Sequence, residues 1–141
     1  MKYLSPFRLA SYLLALSFAG HTAGAMLAQK SFGPESDTVF ASMKAVHFIL
    51  DGAATSWYAI WFAFGLLVSV FLLFSAIAAW QLDKVNAAGW PPVSVIAWAL
   101  VASHACNAAL SWTYLFATPA IFATLVTILL AAGAWLKQRA G

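Results

Sequence analysis

Between Ser36 and Leu82 the chain reads as helix almost without interruption, and that length is what most restricts the fold. As one straight helix the stretch would be roughly 70 Å long, more than twice the hydrocarbon thickness of a bilayer. It must therefore divide, and Gly52 is the natural break. The part before it, SDTVFASMKAVHFILD, repeats apolar residues at Val39, Phe40, Met43, Val46, Phe48 and Leu50, a helical period. The part after it opens on Trp57 and Trp61 and stays apolar to Leu82. Of 141 residues, 64% are hydrophobic and only 8% are charged. A water-soluble domain of this size cannot hide so much apolar surface, so lipid must cover much of it.

The other segments fit the same reading. Lys2 and Arg8 precede an apolar core, and Ala23-Gly24-Ala25 matches the small-residue pattern of a signal-peptide cleavage site. Yet the residues from Pro6 to Ala28 would extend roughly 33 Å as a helix, enough to cross a bilayer. The segment is read as a retained first span, with Ser17, Gly20 and Gly24 forming a small-residue groove. Lys30 to Pro34 is a turn, and Ser36 or Asp37 can cap the helix after it. The expected spans are about 6–28, 56–82, 92–116 and 119–136. The fold class is all-α: an integral membrane four-helix bundle, one transmembrane domain over residues 1–141. An extra amphipathic helix, about 36–51, would lie on the membrane or re-enter it between the first two spans.

Charge placement orients the chain. Lys2, Arg8, Lys84, Lys137 and Arg139 fall on one side and Lys30 and Lys44 on the other, which puts both termini in the cytoplasm. Trp80, Trp90 and Trp135 form one interfacial belt, and Trp57 and Trp112 mark the other. The seven Lys and Arg form no basic run, so nucleic acid is not an expected partner. Cys106 stands alone, which removes an internal disulfide and a thiolate cluster. No phosphate loop, GxSxG, HExxH or CxxC is present.

The chemistry should lie with the polar residues of the apolar segments. Counting about 1.5 Å per residue, His21 lies ~22 Å up the first span and His104 ~18 Å up the third, with Asn107 one turn beyond. On a helix from Ser36, His47 and Asp51 share the apolar stripe of Phe40, Met43 and Leu50. Ionisable groups so placed are costly unless paired or used. The expectation is one outer-half site, with Asp51 and His47 as the acid/base pair. His21, His104 and Asn107 would position a ligand, and Trp61 and Trp112 would line its pocket. No metal site is expected. Simpler readings exist for each residue, since a membrane histidine often just hydrogen-bonds a neighbour and most of the aromatics are belt and packing.

The pieces GHTAG (20–24) and SWYAIWFAFGL (56–66) resemble a group of small four-span bacterial membrane proteins, over roughly residues 10 to 82. That resemblance implies the architecture and a bacterial inner-membrane location, and transfers no activity. His47-x-x-x-Asp51 with Asn107 and Trp112 is distantly similar to the pocket of emopamil-binding-type sterol isomerases, which carry Glu where this chain has Asp51. Three functions compete. The first is an enzyme or carrier for a hydrophobic small molecule (terpenoid, sterol-like or quinone), with acid/base chemistry of an isomerase or cyclase type. The second is an accessory subunit, whose partners beyond lipid would be further copies of the chain or a larger membrane complex. The third is a haem b protein ligated by His21 and His104; otherwise no cofactor is called for.

Overall fold

A computed structural model describes residues 4–28 and 31–140. Lys2 and Lys30, two of the orienting residues, lie outside that range. Helix dominates, as the all-α reading expects. Helix α1 is Pro6–Ala19, and it runs directly into a π-helical segment, Gly20–Leu27. Helix α2 is Pro34–Ala45, strands β1 (His47–Leu50) and β2 (Ala53–Ser56) form a hairpin, and α3 (Trp57–Lys84), α4 (Trp90–Tyr114) and α5 (Ala117–Ala140) follow. Helices α3, α4 and α5 are each long and apolar enough to cross a membrane, by length and composition.

The helix expected over about 36–51 is corrected. Its first part exists as α2, with Pro34 at the start, Glu35 and Asp37 in the first turn and Lys44 in the last, each suited to its end of the helix dipole. At Val46 the backbone turns extended, and residues 47–56 pair as His47↔Ser56, Phe48↔Thr55, Ile49↔Ala54 and Leu50↔Ala53. The two-residue loop is Asp51-Gly52, with φ of 51° and 83°. A positive φ at both central residues is the type I′ geometry that matches strand twist, and Asp-Gly is among the pairs that favour it. The apolar residues of Phe48-Ile49-Leu50 suit a strand as well as a helix, and the turn decides between them.

The described residues cluster into two compact units, one of residues 4–17 and 72–140, the other within Phe18–Phe71. In the first, α4 and α5 pack antiparallel. Trp98 near the start of α4 donates its indole N–H to Gln138 Oε1 near the end of α5 (3.2 Å), and Trp112 donates to Thr124 Oγ1 at the opposite ends (3.0 Å). Ala97, Leu100, His104 and Ser111 step by three, four and seven along the buried face of α4. Small residues on α5, Ala120, Ala123 and Ala134, give them a close approach. A polar cluster ties three segments of this unit. Asp83 accepts from Ser5 and is ion-paired with Arg8, while Lys137 Nζ donates to the Asp83 carbonyl (3.0 Å). Arg8 also lies 4.0 Å over the Trp80 ring.

Candidate ligand cavity

The second unit is built around the π-helical segment. Gly20 and Gly24 carry no side chain to resist the wider winding, and Ala28 N–H closes an i→i+5 bond on Ala23 O (3.0 Å). Side chains fasten this segment to α3. The His21 ring N–H at Nε2 donates to the Gly65 carbonyl (3.0 Å), and Thr22 Oγ1 donates to Ser69 Oγ (2.9 Å). Met26 is buried with its thioether in the space a Cβ at Gly65 would need, so a side chain at Gly65 would oblige the flexible end of Met26 to move. The turn before α2 is held by Asp37, which accepts from Ser31 Oγ (2.6 Å) and from Phe32 N–H (3.3 Å).

Between the π-helical segment, α2 and the first turns of α3 an open cavity of about 700 Å³ remains. Phe32, Phe40, Tyr58, Trp61 and Phe62 are the aromatic members of its walls. Phe40 meets Trp61 edge-on at 5.3 Å, and Tyr58 stacks on Phe62 at 6.0 Å. Met26 and Gly24 contribute from the π-helical segment, and Asp37 and Lys44 are the charged members. The Lys44 ammonium sits 4.5 Å over the Tyr58 ring. A side chain added at Gly24 would meet nothing within 4 Å, as expected of a residue bordering open space. A second hollow of about 360 Å³, bounded by Val39, Met43, Val46 and Trp57 with the hydroxyls of Thr38 and Ser42, holds no charged group. A volume near 700 Å³ lies within the range of small-molecule sites, about 300–1,000 Å³, and the lining mixes polar and apolar surface in near-equal measure.

The sequence-predicted site residues fall as follows. Trp61 is a wall of the cavity. His21 is half-buried and positions one wall through Gly65. His47 is exposed on β1, its Nδ1–H turned to the Ala45 carbonyl (3.0 Å). Asp51 is exposed at the hairpin turn. These four belong to the second unit. His104 (1% exposed), Asn107 (half-buried) and Trp112 (exposed, its N–H on Thr124) belong to the first. Among the described residues no cluster of three or more His, Cys, Asp or Glu could hold a metal ion. For haem, the His21 nitrogen that commonly ligates iron is the one bonded to Gly65, so ligation there would surrender that anchor.

Several cavity residues lie outside the sequence reading of the site: Phe40 stands there only on the apolar stripe, Tyr58 and Phe62 are among the belt and packing aromatics, and Lys44 is only a topology signal. A signal existed. Phe40 and Lys44 are four apart on α2, and Trp61 and Phe62 lie three and four beyond Tyr58, so each set shares one helix face. No family model, curated protein or solved structure matches the chain.

Proposed function

We propose that the chain is a small four-span protein of the bacterial inner membrane that binds a hydrophobic small molecule in the cavity of its second unit. The observation that carries this is the cavity itself, about 700 Å³ with aromatic walls and a lysine at the edge. The fourth span would be α1 with its π-helical continuation, 14 and 8 consecutive helical residues, which together reach the length a bilayer requires. Cytoplasmic termini are supported by the first unit, where Arg8, Asp83 and Lys137 meet, since segment ends that meet must share a side of the membrane. Asp51 serves the hairpin turn in this reading, and ligand contact belongs to Trp61, Phe40, Tyr58 and Lys44. Any acid/base step would then draw on Lys44 or the Tyr58 hydroxyl, the proton donors at the cavity.

The accessory-subunit reading has one observation in its favour. A side chain at Gly20 would also meet nothing within 4 Å among the described residues, which leaves room there for a foreign helix. One experiment separates the two. Protein extracted from its membrane in mild detergent is weighed intact, as parent, Gly24→Leu and Gly20→Leu. A ligand site predicts a bound small molecule on the parent and on Gly20→Leu, and none on Gly24→Leu. A helix-docking groove predicts that both variants release a protein partner and that no small molecule is retained.

A further inference from the structure

We infer that the cavity's ligand is an amphiphile with an anionic headgroup, a carboxylate or a phosphate, paired with Lys44. This rests on the ligand-binding reading above and names the chemical class of ligand. Lys44 ends α2 at the cavity edge, where its ammonium has the Tyr58 ring on one side. Among the described residues the one ion pair within 4 Å is Arg8–Asp83, so Lys44 has no carboxylate of its own. An ammonium carries three donors, and the aromatic face occupies only one direction.

The other charged residue of the cavity does not oppose this assignment. Asp37 already has its two oxygens on Ser31 Oγ and Phe32 N–H, where it holds the turn before α2. It precedes Lys44 by seven residues, about 10 Å along the helix axis. Asp37 is thus committed to the turn, whereas Lys44 has no carboxylate within 4 Å among the described residues. Between them Phe40, Trp61, Phe62 and Met26 offer an apolar bed for a chain. A neutral apolar ligand filling the same space would strip water from Lys44 and return nothing, a cost an anionic head avoids. The volume suits a headgroup and part of one chain, as in a fatty-acid-like or lysolipid-like molecule.

The test uses the full chain in nanodiscs of zwitterionic lipid and three brominated C18 probes, alike except for a carboxylate, a phosphate monoester or a hydroxyl head. Bromine quenches tryptophan, and the difference between parent and Trp61→Phe isolates the cavity. The two anionic probes should bind about fivefold more tightly than the hydroxyl probe, the scale of one lysine near a membrane surface. Lys44→Gln should erase that preference and Lys44→Arg should keep it. Equal binding of all three probes, abolished by Gly24→Leu, would overturn the headgroup assignment and leave the cavity as a ligand site. Binding that Gly24→Leu does not change would overturn both. Complete displacement of the anionic probes by inorganic phosphate alone would mean a free-anion site and would overturn the amphiphile.

Discussion

Replacing Gly52 with alanine tests the hairpin, and the size of the effect follows from the backbone. Gly52 sits at φ 83° and Asp51 at φ 51°. A residue with a Cβ loses about 1–2 kcal/mol in the left-handed region, a penalty glycine escapes. Two four-residue strands joined by two residues are marginally stable by themselves, so little surplus absorbs the loss. A loss of about 1–2 kcal/mol is a factor of about 5–30 in the ratio of closed to open hairpin. Hydrogen–deuterium exchange of the full chain in nanodiscs reads this locally. Amides between Phe48 and Thr55 should lose protection by about that factor in Gly52→Ala, while those of α3 and α5 keep theirs. Asp51→Asn should change neither protection nor ligand retention, because asparagine tolerates the left-handed region as aspartate does. Unchanged protection in Gly52→Ala would refute the turn argument. Loss of ligand retention in Asp51→Asn would show that the carboxylate is used chemically.

Two further expectations concern the second unit's anchor and the chain's orientation. His21→Ala and Thr22→Val each remove one hydrogen bond to α3; stability should fall by about 0.6 kcal/mol apiece, the usual scale in a bilayer. Ligand retention should fall more steeply than thermal stability, and a parallel fall in both would make these contacts structural only. A reporter fused at Asn86, beside the Arg8–Asp83–Lys137 cluster, should read as cytoplasmic; a periplasmic signal would reverse the topology.

The long helices were legible because their evidence is local and repeated. Pro6, Pro91 and Pro119 mark the starts of α1, α4 and α5, and the apolar run of α3 holds no proline. Spans expected at 56–82 and 92–116 differ from α3 and α4 by two residues or fewer at each end. The hairpin was misread for a physical reason. Residues 46–50 are all apolar but for His47, and such a run fits a three-to-four-residue period and a strand equally well. Asp51-Gly52 carries the deciding information: Gly52 alone reads as a helix break, but the left-handed turn chemistry of the pair is the stronger signal. Once residues 47–56 fold back, His47 and Asp51 leave the stripe that had joined them to Phe40 and Met43. The cavity was illegible for another reason: it depends on how the π-helical segment is wound, and i→i+5 bonding has no spacing rule that GHTAGAML displays.

On the proposed function a ligand occupies the space bounded by Phe40, Trp61 and Phe62. Photolabelling tests it most directly, with a C18 fatty acid carrying a diazirine at mid-chain, applied to the full chain in nanodiscs and mapped by peptide mass spectrometry. Labels should concentrate on Phe40, Trp61, Phe62 and their immediate neighbours, be competed by unlabelled fatty acid and be lost in Gly24→Leu. Labels spread over the exposed apolar residues of α3 and α4, such as Val70, Phe74, Val95 and Ile96, and indifferent to Gly24→Leu, would contradict it.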